Sequence, residues 1–236
     1  AEDLPTMLSG GGGFEVKASP GIVLSANFGR SFRYPDFSEL YFPSQGFIRG
    51  NPNLRSERAN FLEVSVTSNH KSFSGGLTAY LRNQKNGIKF VPVSAYAIAP
   101  VNTGEVKVRG IEVFGEVNLS SSLRLSFSEG FTSAKFAGSG IELTQTPHFK
   151  FFSELVYEKG GYSLALSHFR ESAQSADLFG SIRVPRKQIT NAELGLRTRL
   201  GILSITAHNV FDKPAYDFID FPLPGRYFEI SFQAVL

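Results

Sequence analysis

The chain has no cysteine at all, which excludes a disulfide framework, a thiolate metal site and a cysteine nucleophile, and leaves no trace of the compartment's redox state. Charge is scarce: charged residues make up 19%, against roughly 25% in a typical soluble domain. The 24 basic and 21 acidic residues leave a net charge of +3 that no run concentrates, so there is no nucleic-acid footprint. No stretch reaches the roughly 18 apolar residues that a membrane-spanning helix needs. The start, Ala1-Glu2-Asp3, has no basic region followed by an apolar run, so any signal peptide is expected to have been removed. There is a single methionine, which argues against an uptake site for soft metals.

What is abundant points elsewhere. Hydrophobic residues reach 42% and aromatic residues 13%, with 23 Phe matching 23 Gly. That is enough apolar surface to offset ordering entropy and exclude a disordered chain. At 236 residues the chain has room for one all-β domain or two small ones. If a membrane is involved, strands must cross it.

Alternation at period two dominates. Ile22, Leu24, Ala26 and Phe28 alternate with Val23, Ser25, Asn27 and Gly29, and Leu62, Val64 and Val66 with Glu63, Ser65 and Thr67. The pattern returns in Ile111 to Leu119, in Ala192, Leu194 and Leu196, and in Phe228, Ile230, Phe232 and Ala234 against Glu229, Ser231 and Gln233. Such alternation gives each strand one greasy and one polar or small face. About eleven strands are expected, over 11–19, 22–33, 58–68, 72–91, 103–119, 123–136, 147–158, 161–171, 188–200, 202–212 and 225–236. Short connections at 19–21, 69–71, 120–122, 159–160 and 201 alternate with long ones at 34–57, 92–102, 137–146, 172–187 and 213–224. One end of the sheet therefore carries tight turns and the other long loops, the asymmetry of a transmembrane antiparallel β-barrel rather than a requirement of a soluble sandwich.

Three irregularities interrupt the pattern. Asn86-Gly87 is a hairpin signal, although the piece that follows, Ile88 to Val91, is so short that 72–91 is expected to be one long strand. Glu129 falls on the apolar register after Leu123, Leu125 and Phe127, so a bulge or the end of the lipid-facing stretch is expected there. Gly10 to Gly13 reads as a bulge or as part of a flexible start over 1–10.

No catalytic set emerges. His70, His148, His168 and His208 match no metal-ligand spacing and read as scattered polar positions, so neither a metal nor a cofactor is expected. No G-x-S-x-G elbow occurs, and Gly10 to Gly13 is followed by no Lys-Ser/Thr pair, which excludes a phosphate loop. The expectation is a protein that is not an enzyme.

At the first long loop the residues begin to resemble a family. Phe32-Arg33-Tyr34-Pro35 with Glu39, then Asn51-Pro52-Asn53-Leu54 and Glu57, resemble the FRAP and NPNL boxes of TonB-dependent outer-membrane receptors, Tyr34 standing where Ala is usual. Asn102 and Gly104, followed by Gly110-Ile111-Glu112, resemble the family's N-x-G and G-[VI]-E. Asn209-Val210-Phe211-Asp212 with Tyr216, then Pro224-Gly225-Arg226, resemble its C-terminal signatures. The four boxes follow in order, each at a predicted strand end. Leu236 stands where a terminal aromatic is usual.

The resemblance implies a barrel of about 22 strands filled by an N-terminal plug that contacts TonB. Residues 1–236 would be the C-terminal portion of that barrel, with no plug in this chain. The implied partners are outer-membrane lipid, an N-terminal half-barrel and plug from the same protein or a second chain, TonB through the plug, and a small-molecule ligand such as an iron chelate. The implied role is TonB-coupled uptake of a scarce ligand, an iron-siderophore for preference, with 34–57 and the other long loops extracellular and the C-terminus periplasmic. Haem receptors of the family carry a His between the two boxes, and residues 36–50 contain none, which disfavours haem. Arg33, Tyr34, Tyr41, Phe42, Phe47 and Arg49 form the expected ligand surface, because rings stack on a planar chelate and guanidinium groups neutralise its charge. The other reading of these rings is an aromatic girdle at the membrane interface. A passive or structural half-barrel without TonB coupling is the alternative for the chain as a whole.

Overall fold

A computed structural model describes residues 7–43, 47–94, 96–177 and 179–234. Eleven strands form one antiparallel sheet: β1 (Gly10–Ser19), β2 (Ile22–Arg33), β3 (Glu57–His70), β4 (Phe73–Lys85), β7 (Val106–Ser120), β8 (Leu123–Phe136), β9 (Phe149–Lys159), β10 (Tyr162–Glu171), β13 (Lys187–Arg197), β14 (Gly201–His208) and β17 (Tyr227–Ala234). They stand in chain order, each paired with the next. The long connections carry their own structure: a short helix α1 (Phe37–Tyr41) and the hairpins β5 (Ile88–Ser94) with β6 (Ala97–Asn102), β11 (Gln174–Ser175) with β12 (Arg183–Val184), and β15 (Tyr216–Phe218) with β16 (Phe221–Pro222).

The period-two pattern becomes two faces because directly opposed residues share a side of the sheet. Phe14, Ala26, Val64, Ala79, Ile111, Phe131 and Phe149 stand in one cross-strand row. Leu125, Leu155, Leu166, Ala192, Ala207 and Phe228 form another. Leu194, Ile205 and Ile230, aligned across β13, β14 and β17, are 62%, 46% and 72% exposed. Side chains of this size are each worth about 1.5–3 kcal/mol when removed from water. An apolar belt left bare across eleven strands is the lipid-facing wall of a transmembrane β-barrel. The opposite face is polar: Ser25, Ser65, Thr78, Glu112 and Gly130 align across five strands, and the Ser25 and Ser65 hydroxyls are hydrogen-bonded at 2.6 Å.

Three expectations change. The strand expected over 72–91 ends at Lys85, and Ile88–Ser94 folds back against Ala97–Asn102. Asn86 has φ +57°, so the Asn-Gly pair turns the chain, and a hairpin partner ten residues on rewards the short piece. Glu129 causes no bulge. It keeps the outward register opposite Val113 and Phe151, and the ladder shifts instead at Asn118/Ser120. Gly10 to Gly13 lie in β1, evenly paired with Arg30 to Asn27, so Gly10 already belongs to the wall rather than to a loose start. A side chain at Gly11 would meet the Phe28 carbonyl oxygen at 2.7 Å, which is why β1 can lie so close to β2. Residues 1–6 and Leu236 are outside the described residues.

The sheet is open. β1 is exposed along its whole length, as is β17, and among the described residues the two do not pair. Both run toward the tight-turn end, since an odd number of alternating strands begins and ends in the same direction.

Candidate functional site

Where β2 runs out, Pro35 biases Tyr34 toward extended backbone and Asp36 caps α1. The Asp36 carboxylate accepts from the Glu39 amide at 2.7 Å, and the Glu39 carboxylate accepts from the Asp36 amide at 2.8 Å. This reciprocal box satisfies two donors of a helix too short to hold itself. The Ser38 hydroxyl and then the Glu39 amide hold the Asp36 carboxyl below the usual carboxylate range. Arg33 grips buried Glu39 with two nitrogens at 2.8 and 3.0 Å, and donates Nε to Glu57 at 2.6 Å. Glu57 in turn accepts from the Ile88 amide at 2.6 Å. Three residues of the first two boxes, Arg33, Glu39 and Glu57, thus form one knot with Asp36 and the Ile88 amide that joins β2, α1, β3 and β5.

The Asn51-Pro52-Asn53-Leu54 box ties the same loop to the next one. The Asn51 amide donates to the Glu39 carbonyl at 2.8 Å, and its side chain donates to the Pro100 carbonyl at 2.9 Å. Its Oδ1 accepts from the Asn53 amide at 3.0 Å, turning the chain over Pro52, and Leu54 is buried. Asn102 accepts from the Arg55 amide at 2.7 Å and donates to the carbonyls of Arg55 and Asn86, both at 2.8 Å. Ile48 pairs with Ile98 in a parallel bridge, flanked by Arg49 N–H to the Ile98 carbonyl at 3.1 Å. Residues 34–43 and 47–56 are therefore joined to the β5–β6 hairpin as one body.

Several of the remaining motif positions also make close local contacts. The Tyr80 ring lies where a side chain at Gly110 would be, and its hydroxyl is hydrogen-bonded to Thr132 at 2.8 Å. Glu112 sits on the polar face opposite Thr78 and Gly130. Gly104 has open space around it. Asn209 is buried with φ +47°, and its amide side chain exchanges bonds of 2.9 and 3.0 Å with the Lys213 backbone. Asp212 accepts from the Arg226 amide at 2.8 Å, and a side chain at Gly225 would stand 2.8 Å from that carboxylate. Phe211 is exposed, and Tyr216 opens the β15–β16 hairpin.

The knot displays rings. Tyr41, Phe42 and Phe47 are 55%, 40% and 65% exposed, and Arg49 is exposed beside them. Tyr34 is half-buried and packs edge-on against Phe32 at 5.2 Å. Three further residues, missed in the sequence, join this surface. Phe37, exposed to 78%, lies 5.1 Å from Tyr41 across the helical turn, while Phe90 and Tyr96 are exposed on the β5–β6 hairpin. An i, i+4 pair is legible for Phe37; Phe90, expected at the end of strand 72–91, and Tyr96, expected in the long connection 92–102, come together only through the β5–β6 hairpin. On the same hairpin, burial pushes the Lys89 ammonium down. The four His do not converge: His148 bonds Glu142 at 2.8 Å, His168 bonds Thr190 at 2.9 Å, and His208 stacks on Tyr227 with ring centroids 4.3 Å apart. Among the described residues no three His, Asp or Glu groups gather as metal ligands.

A lipid-facing strand wall, a polar inner face and a braced loop body carrying exposed rings define part of the wall of a transmembrane β-barrel. More narrowly, the chain belongs to the TonB-dependent receptor β-barrel family, whose model, described as "TonB dependent receptor-like, beta-barrel", matches residues 5–211. The vitamin B12 transporter BtuB of Photobacterium profundum is 32% identical over 96 residues, 39% of this chain and 15% of that protein. The hemoglobin-haptoglobin utilization protein B of Neisseria meningitidis is 30% identical over 136 residues, 47% of this chain and 17% of that protein. Among solved structures, the copper transporter OprC superposes with a TM-score of 0.80 at 19% identity, over 93% of this chain and 39% of that one. A mutant of the ferric enterobactin receptor PfeA from Pseudomonas aeruginosa gives 0.77 at 20% identity, over 96% and 40%. At such identities the superpositions establish the fold alone. The chain thus spans under half the length of the proteins it resembles.

Proposed function

We propose that residues 1–236 are the C-terminal portion of the barrel of an outer-membrane receptor that takes up a scarce small molecule, an iron-siderophore for preference, by energy transmitted through TonB. In this reading an N-terminal half-barrel and plug, from the same protein or a second chain, complete the wall and fill it, and the plug meets TonB. Loops 34–57, 92–102, 137–146 and 172–187 face the cell exterior, and the C-terminus faces the periplasm. One observation carries the proposal: the family boxes brace the first two long loops into a single body whose free surface is aromatic. Tyr41, Phe47 and Arg49 contact ligand, with Phe42 and Tyr34 at the margin. Arg33, with three nitrogens already bonded to Glu39 and Glu57, positions the surface rather than touching the ligand.

The test is equilibrium binding to the full-length protein that contains this chain, with a ferric catecholate siderophore, cobalamin, copper and haem as separate probes. The expected result is saturable binding of the ferric siderophore, weakened about tenfold when Tyr41→Ala and Phe47→Ala remove two stacking platforms. Saturable binding of cobalamin, copper or haem alone overturns the siderophore assignment. Uptake that persists after the inner membrane is de-energised overturns the TonB coupling and favours a passive pore.

A further inference from the structure

The lipid-facing surface is not the same at its two ends. At the tight-turn end the outward register carries Phe73, Leu123, Tyr157, Tyr162, Leu203 and Phe232, with Lys159 as the cation among them. At the loop end, across β2, β3, β4, β7 and β8, the same register carries six cations. Arg30, Asn60, Asn83, Lys107 and Lys135 stand in one cross-strand row. Arg109 lies one row nearer the belt, beside Leu81 and Ser133, and Arg58 opposes Lys85 one row nearer the loops. Each is within three residues of the loop end of its strand.

Two carboxylates lie near this patch. Glu105 is engaged by Lys85 at 3.4 Å and by the Asn83 amide at 2.8 Å. Glu142, bridged to Lys135 through the backbone, is engaged by His148 at 2.8 Å and Arg183 at 3.7 Å. Among the described residues Arg30, Arg58, Lys107, Arg109 and Lys135 form no ion pair. A cation facing lipid costs about 2–4 kcal/mol at the midplane and little near the interface. Five unpaired cations on one sector still call for a counter-charge.

The relief of the wall matches such a partner. Two adjoining depressions of about 580 and 640 Å³ share Leu62, Leu81, Arg109 and Ser133. The first reaches up to Lys107 and Lys135 under Ala137 and Gly140 of the β8–β9 loop; the second runs down to Val64, Ala79, Ile111 and Phe131 in the belt. The groove is therefore cationic at its head and apolar along its floor, with small Ala79 between bulkier neighbours.

We propose that this groove holds an anionic membrane lipid with a phosphorylated head group, its phosphate among Lys107, Arg109 and Lys135 and an acyl chain over Leu62, Leu81 and Phe131. A free phosphate would leave the apolar floor unused, and a zwitterionic lipid would leave the cations uncompensated. The assignment rests on the proposed orientation only for which leaflet supplies the lipid.

The test is native mass spectrometry of the full-length protein in detergent, delipidated and then titrated with lipid A or with phosphatidylcholine. The unmodified protein should retain lipid A in preference to phosphatidylcholine. The triple variant Lys107→Gln, Arg109→Gln, Lys135→Gln should lower that retention at least about tenfold, since each basic side chain near a membrane surface adds a comparable increment. The control triple Lys17→Gln, Lys71→Gln, Lys159→Gln, with the same charge change at the other end, should leave it intact. Should the triple variant fail to assemble, Arg109→Gln alone should lower retention about threefold. Equal retention in both triples, equal retention of phosphatidylcholine, or displacement of lipid A by equimolar inorganic phosphate overturns the proposal. The detergent assay does not depend on orientation or on siderophore binding, so the functional reading fails or stands separately.

Discussion

At the scale of single residues, the family boxes act by bonding to one another. Arg33 exemplifies this: its value lies in a planar fork that meets Glu39 with two nitrogens and Glu57 with a third. Arg33→Met should loosen residues 37–54 by about 1–2 kcal/mol, after allowance for the half-exposed side chain, seen as faster amide exchange and protease cutting in the full-length protein. Arg33→Lys should recover only part, because an ammonium cannot span both carboxylates; full recovery would mean that charge alone matters. A second residue sets a pH dependence. The hydrogen bond from His148 holds the Glu142 carboxyl below the usual carboxylate range, with Arg183 and Lys135 adding attraction. A carboxyl depressed on folding contributes stability that is complete above its unfolded value and disappears as pH falls through the folded one. Exchange at 141–147, corrected for intrinsic rates, should stay slow from neutral pH down through the usual carboxylate range and quicken only below it, as the lowered Glu142 carboxyl takes up its proton. Glu142→Gln should abolish that acid step.

At the scale of elements, the strand faces separate costly from harmless substitutions. Ile205→Arg, in the row Leu194, Ile205, Ile230, should cost about 2–4 kcal/mol of folding into lipid vesicles if near the midplane. Ser231→Arg, one position beyond Ile230 on the neighbouring strand and on the polar face, should be nearly neutral. Val113→Arg should cost less than Ile205→Arg, because Glu129 stands directly opposite on the same outward face. Equal costs at Ile205 and Ser231 would show the faces to be misassigned. Loop placement is checked separately. Protease added to intact cells should cut at 34–57, 92–102, 137–146 and 172–187 and spare the turns at 69–71 and 120–122; the opposite pattern would invert the topology.

At the scale of all eleven strands together, the two edges left bare by residues 1–236 govern how these residues behave on their own. In lipid every unpaired backbone group costs several kcal/mol, and β1 and β17 present full rows of them along parallel directions. Residues 1–236 expressed alone should therefore not give a closed monomer. Assembly with an N-terminal half supplied in trans is expected, with aggregation or a two-copy barrel in its absence, since edges seek strands. A heat-modifiable, protease-resistant monomer of these residues, with the amides of β1 and β17 protected from exchange, would overturn this.

The amino-acid sequence by itself determined the eleven strands of the wall, apart from the end of β4 at Lys85, their order along the chain, which face of each is apolar and which end carries tight turns. Period-two alternation and turn residues are local, and antiparallel neighbours need no long-range information. It also marked the family boxes. Only the tertiary structure decided what those residues do. Arg33 meets Glu57 across 24 positions and Asn102 meets Arg55 across 47, separations at which no local pattern shows which groups will bond. The same holds for Asn86-Gly87, a turn whose worth depends on Ala97–Asn102 as its partner, and for the cations of the outer wall. Arg30, Lys107 and Lys135 are isolated residues in the sequence and become a patch only when β2, β7 and β8 fall into register.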